Sequence, residues 1–368
     1  MCTIPRNTGA HILVYPFPAP GHIIPLLDLT HLLLTRGLTI AVLVSPSHLP
    51  LLQPILSSHL SSSIQPLVLP LPHSFTSSQS GLLGKIRATG ELYDPILQWF
   101  RSHPSPPVAI VSDFFLGWTH RLATHLGVPR LAFWPSGAFT ASILDSLWRN
   151  LPKNNDPGNE NFLISFSTSF TLSISRRKWG TIGFGLSGPL LPPEDNDLVG
   201  PTNRGGSSVV EAHEVMTWLD GKADDSVVYV CFGSRVALTS KQREALAAAL
   251  ECSRVHFIWC VKASDQGHAA VLEGISAGVL MLTWPMNADQ FTDAKLLVDQ
   301  LGVAIRACEG GSHNVPDVDE LTRVLGESVI GSRIERNRVM QLRNMARNAP
   351  VKEGSSTRDL EKFVKRLR

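Results

Sequence analysis

Three short stretches combine a reactive side chain with a place in the chain where ligands are commonly held. In "PAPGHIIP", Gly21 permits a tight turn after an apolar run, and His22 stands at the entrance of the next helical pattern. The positive end of a helix favours uncharged imidazole, so His22 is placed to accept a proton. Asp113 closes the apolar run of "AIVSDFFLGW". A carboxylate there can hold a histidine's second nitrogen and balance the charge that forms on it. Ser234 ends "CFGS", where a Gly-Ser pair can offer amide hydrogens and a hydroxyl to a phosphate. Without the extra glycines and lysine of a P-loop, that motif alone is weak. Each position also has a plain structural reading. One histidine among thirteen is most often structural, and an acid at a strand end is often a helix cap.

The elements that must position these residues alternate. "HILVYPF" reads as a buried strand, and a helix through "IIPLLDLTHLLLTRG" ends at Gly37. Further strands are expected at "LTIAVLVSP", "IQPLVLPLP", "PVAIVSDFF" and "VPRLAFWPS", with helices at "GELYDPILQWFRSH", "GWTHRLATHLG" and "GAFTASILDSLWRNL". Strands that are apolar throughout and separated by helices imply a parallel sheet covered on both faces. The pattern dissolves over 152–190, and "GPLLPPEDNDLVGPTNRGGSS" has the composition of a linker. Alternation then restarts with strands at "SVVYVCFGS", "VHFIWCVK", "VLMLTWP" and "VAIRACE" and closing helices from about Val318. The predicted architecture is α/β with two doubly wound domains, 1–195 and 196–345. A C-terminal helix in 346–368 is expected to pack back on the first.

The bulk numbers fit that division. A chain of 368 residues is long for one domain and comfortable for two, and 43% hydrophobic against 17% charged residues allows a large core. A net charge of +2 argues against a general nucleic-acid binder, which would need a concentrated basic face. The five cysteines, Cys2, Cys231, Cys252, Cys260 and Cys308, lack the spacing of a zinc site or a disulfide framework. Cys231 and Cys260 lie in apolar runs and are expected in the core. No apolar run approaches the ~20 residues of a membrane span. No signal peptide is read at the start, which makes a cytoplasmic protein the expectation.

With the motifs in order, the chain resembles the plant small-molecule UDP-glycosyltransferases, in particular those acting on flavonoids and other phenolics. The resemblance is carried by "FPAPGHIIPLLDLTHLL", "SHPSPPVAIVSDFFLGWTH", "VMTWLD", "VVYVCFGS", "VHFIWCVK" and "VLEGISAGVLMLTWPMNADQF". It implies the two-Rossmann GT-B fold, shortened here in both halves. It also implies an inverting transfer of a hexose, glucose foremost, from a UDP-sugar to a phenolic hydroxyl. His22 would be the base and Asp113 its partner. Ser234 would touch the diphosphate, Glu273 the ribose, and Asp289 and Gln290 the sugar, with Trp284 lining the donor pocket. Phe17, Trp118 and Trp134 are candidates for the acceptor wall, although each suits a core equally. No metal and no resident cofactor is implied, because amide dipoles and neutral side chains meet the leaving diphosphate. A monomer is expected.

The chain also departs from the family. The donor signature lacks its opening Trp-Ala-Pro-Gln corner and the His-Cys-Gly-Trp-Asn-Ser segment. The sequence passes from "FIWCVK" through "ASDQGH" to "AAVLEG". Aligning "DQGHAA" with the phosphate corner puts Asp265 where the family has histidine, and Ala269 and Ala270 where it has donors. Each lost hydrogen bond to a charged group weakens binding by about 1.5–3 kcal/mol, and a lost base-stacking ring by about 1–3. Strand and helix still alternate after removal of one helix-strand-helix-strand block, so the second sheet is expected to form two strands short. The alternative reading is therefore a catalytically impaired, truncated product. A Rossmann oxidoreductase is disfavoured, since no G-x-G-x-x-G follows the first strand.

Overall fold

A computed structural model describes residues 9–77, 81–135, 137, 140, 141, 143, 144, 210–232, 236–260, 271–330 and 333–367. Contacts divide them into two compact units. One holds the residues up to Pro135 and those from Ala349 onward; the other holds Gly137 to Asn348.

In the first unit the apolar runs become β1 (His11–Tyr15), β2 (Thr39–Val44), β3 (Ile64–Val68), β4 (Ala109–Asp113) and β5 (Arg130–Phe133). Helices α1 (Pro20–Leu34), α2 (Leu49–Ser58), α3 (His73–Thr76), α4 (Leu82–Thr89), α5 (Tyr93–Ser102) and α6 (Thr119–Leu126) connect them. All four strand pairs are parallel, in the order β3-β2-β1-β4-β5. The chain runs outward from β1 to β3, then returns to the other side of β1 for β4 and β5. That reversal opens a crevice beyond the carboxyl ends of β1 and β4. Tyr15 pairs with Ser112, so the two strand ends are level.

The strands are apolar throughout because both faces are covered. Ile12, Val14, Ile40 and Val42 pack toward α1 and α2, whereas Leu13, Tyr15, Ala41 and Leu43 pack toward Ile96, Leu97 and Leu122 of α5 and α6. Pro20 supplies the fixed φ suited to a first helical position. Gly37, with φ of 76°, makes the left-handed turn that releases the chain into β2.

The second unit contains α7 (Ala212–Asp220), β6 (Val227–Val230), α8 (Ser240–Ser253), β7 (His256–Trp259), α9 (Val271–Ala277), β8 (Met281–Thr283), α10 (Gln290–Lys295), β9 (Ala304–Arg306), α11 (Val318–Ser328) and α12 (Ile334–Asn348). A capping box between Thr239 and Gln242 starts α8. The strands do not make one shortened sheet as expected. Among the described residues β6 pairs only with β7, and β8 only with β9, as two separate parallel ribbons. Both ribbons lean on one layer, formed by Leu246, Ala249 and Leu250 of α8 and Leu321 and Leu325 of α11. The other face of β8 and β9 is covered by Val339 and Leu342 of α12. Among the described residues no such layer covers the outer face of β6 and β7, and Tyr229 is 59% exposed. For the same reason Cys260 is exposed and Cys231 half-buried, not core residues as their apolar runs suggest. The last helix, α13 (Ser355–Leu367), belongs to the first unit, where Leu360, Phe363, Val364 and Leu367 join the α1 side of the core.

Candidate active site

His22 is the third residue of α1, and its amide donates to the carbonyl of Ala19 in the opening turn. Asp113 is the last residue of β4 and is fully buried. The crevice brings them together, with His22 Nδ1 2.7 Å from Asp113 Oδ2. The other carboxylate oxygen accepts the amide of Phe115 at 2.9 Å. A carboxylate only accepts, so the pairing places the ring hydrogen on Nδ1 and leaves Nε2 with its lone pair. Nε2 has no partner among the described residues, and the His22 side chain remains 14% exposed. The arrangement is that of a base steered by a buried acid.

The surroundings of His22 are aromatic. Phe17 meets the imidazole edge-on at 5.4 Å, Phe115 lies tilted at 4.9 Å and Phe114 stacks at 6.2 Å. Trp134 stacks on Phe114 at 4.1 Å, which joins it to the same wall. Trp118 is engaged otherwise: its ring packs against Tyr15 and Tyr93, and its indole N–H donates to Thr89. Phe114 and Phe115 were not singled out from sequence, although they follow Asp113 directly and the turn had to carry them to the crevice.

Arg130 was also missed. Its Nε donates to Ser112 at 2.9 Å, and its Nη2 donates to the carbonyl of Asp113 at 3.0 Å. Burial lowers its pKa, and the nearby charge of Asp113 opposes that shift. An arginine inside an otherwise apolar strand was the available signal, because a buried charge requires partners.

In the second unit Trp284 follows β8, with its ring edge-on to Phe232 at 5.1 Å and its indole nitrogen buried without a partner among the described residues. The chain then turns through Ala288, which holds a left-handed φ of 51° that is uncommon for alanine. Asp289 and Gln290 start α10 there. Gln290 Oε1 accepts the amides of Met286 at 2.8 Å and Asn287 at 3.2 Å, so its carboxamide is fixed and its NH2 group remains as a donor. Gly310 fits against this corner because a Cβ would lie 1.8 Å from the Pro285 carbonyl oxygen. One turn along α10, Asp293 is pushed up to about 6 by burial and then by the charge of Asp289, with a hydrogen bond from Thr140 opposing. Glu273 lies in α9. Ser234 and the "DQGHAA" corner fall outside the described residues. Among the described residues no group of three or more histidine, cysteine or acidic side chains could hold a metal ion, and no helix is long and apolar enough to cross a membrane.

The chain matches no protein-family model. It is 38% identical to the flavonol 3-O-glucosyltransferase UGT89B1 of Arabidopsis thaliana, over 98% of this chain and 97% of that protein. The chain belongs to the plant UDP-glycosyltransferase family. Its fold is that of the family: the crystal structure of A. thaliana UGT89C1 complexed with UDP superposes with a TM-score of 0.81 at 31% identity, covering 97% of this chain and 99% of that one. The same transferase complexed with quercetin gives 0.80 at 30% identity, over 98% and 100% of the two chains. The alignment with UGT89B1 runs over 472 positions whereas this chain has 368 residues, so at least 104 positions face a gap in this family member.

Proposed function

We propose that the protein transfers glucose from UDP-glucose to a hydroxyl of a flavonol or related phenolic, with inversion and without a metal. The observation that carries this reading is the 2.7 Å pair of His22 and Asp113 in an aromatic crevice at the reversal of strand order. The acceptor ring lies against Phe17, Phe115 and Trp134, and its hydroxyl donates to Nε2 of His22. As the proton passes to Nε2, the acceptor oxygen forms its bond to the anomeric carbon from the face opposite UDP. The bond from that carbon to the diphosphate oxygen breaks, and UDP leaves with the electron pair. Asp113 holds the imidazolium through Nδ1, which stabilises charge where it develops. On the donor side, Trp284 lines the pocket, Asp289 and the Gln290 carboxamide hold sugar hydroxyls, Glu273 takes the ribose, and Ser234 contacts the diphosphate. The names of the relatives support the choice of donor and acceptor: one is a flavonol 3-O-glucosyltransferase, and a structural neighbour is complexed with quercetin. We place it in the cytoplasm as a monomer.

A second reading has its own support. The two ribbons of the second unit and the 104 or more unmatched positions favour a family member with impaired donor binding. One experiment separates the readings: labelled UDP-glucose with a phenolic panel that includes quercetin, together with calorimetric titration of UDP. Glucoside formation with measurable UDP binding supports the transferase. Absence of both supports the impaired form.

A further inference from the structure

The corner that carries Asp113 is held from behind by a compact polar network. Ser112, Asp113 and Thr119 are all fully buried. Thr119 Oγ1 donates to the Leu116 carbonyl at 2.6 Å and lies 2.8 Å from Ser112 Oγ. Arg130 enters this network from β5. Its Nε meets Ser112 Oγ at 2.9 Å, and its Nη2 reaches the carbonyls of Asp113 at 3.0 Å and Leu116 at 3.5 Å. The guanidinium therefore touches both ends of the four-residue turn 113–116. That turn sets where the Asp113 side chain points, since its Oδ1 is tied to the Phe115 amide and its backbone carbonyl to the Leu116 amide.

We propose that Arg130 is a positioning residue, whose forked contacts hold the turn after β4 so that the Asp113 carboxylate faces Nδ1 of His22. This rests on the reading of His22 and Asp113 as the reacting pair. Arginine suits the task because a planar fork of donors can bind several acceptors at fixed angles, which an ammonium group cannot do. Leaving a guanidinium half inside the sheet edge only to cap two carbonyls would not require that its loss be felt at His22. Positioning does require it.

The test reads the imidazole directly in the 15N-labelled full chain, without relying on turnover. Two-bond nitrogen–proton correlations report which ring nitrogen carries hydrogen, and the His22 signals among the thirteen histidines are those absent from His22→Gln. Wild type is expected to show the Nδ1–H form with a far-downfield ring proton. In Arg130→Met that proton resonance is lost and both tautomers appear, while far-ultraviolet circular dichroism stays native. Arg130→Lys, which keeps the charge but not the fork, also loses the resonance and serves if the methionine variant does not fold. A folded Arg130→Met or Arg130→Lys protein with the wild-type His22 signature overturns the proposal. Absence of the Nδ1–H form in wild type overturns the pairing itself, a distinct result.

Discussion

Replacing Asp113 by asparagine isolates the proton-transfer chemistry from the fold. Asp113 Oδ2 lies 2.7 Å from His22 Nδ1, and Oδ1 takes the Phe115 amide at 2.9 Å. An asparagine keeps its single oxygen on that amide, because its NH2 group cannot accept. The NH2 group then faces His22, so Nδ1 must become the acceptor and the ring hydrogen moves to Nε2. A base with its lone pair turned away from the acceptor hydroxyl is lost, which removes about 10²–10⁴ in rate. At 1.36 kcal/mol per tenfold, that is about 2.7–5.4 kcal/mol of barrier. Asp113 is fully buried and does not reach the acceptor, so the loss falls on kcat while KM for the phenolic stays near wild type. Steady-state transfer of labelled glucose to quercetin measures both constants. A variant with kcat within about threefold of wild type, or with the loss confined to KM, refutes the role given to Asp113.

Three further outcomes follow from the geometry. Asp293 has its folded pKa raised from 3.8 to about 6, so the folded state binds the extra proton and its stability declines as pH rises through that window. Asp293→Asn should therefore gain stability over wild type from about pH 4 to 6 and keep that gain above it, with no difference at lower pH; urea midpoints across pH 3.5–7 check this. Gly310→Ala forces a methyl into the Pro285 carbonyl at a φ of 85°, so it should shift the corner at 285–290, lower the melting temperature by several degrees and weaken UDP binding. In hydrogen exchange, amides of β1, β2 and β4 should open only with global unfolding. Those of β6 to β9 should exchange roughly 10²-fold faster, since among the described residues each of these strands has only one partner.

Much of the first unit was legible because its sheet is buried on both faces. Unbroken apolar runs between helices could hardly be anything else, and Gly37 marks the end of α1 as a left-handed residue. His22 and Asp113 could be placed on strand-to-helix corners from sequence, but their contact depends on β4 lying beside β1, a pairing between residues 91 positions apart. The same limit hid Phe114, Phe115 and the division of labour between Trp118 and Trp134, since local periodicity does not say which side of a turn faces a crevice. In the second unit the strands were found but their sheet was not. Local sequence specifies that β6 and β8 are extended but not which strands lie beside them. Among the described residues the two ribbons stay separate, and Tyr229 and Cys260, apolar in context, are exposed.

The most direct test is single-turnover transfer from UDP-glucose to quercetin by wild type and His22→Ala, with UDP affinity measured in parallel. The expected result is glucoside formation by wild type, a fall of about 10²-fold or more in His22→Ala, and equal UDP affinity in both. Equal turnover in the two proteins would contradict the assignment of His22 as the base.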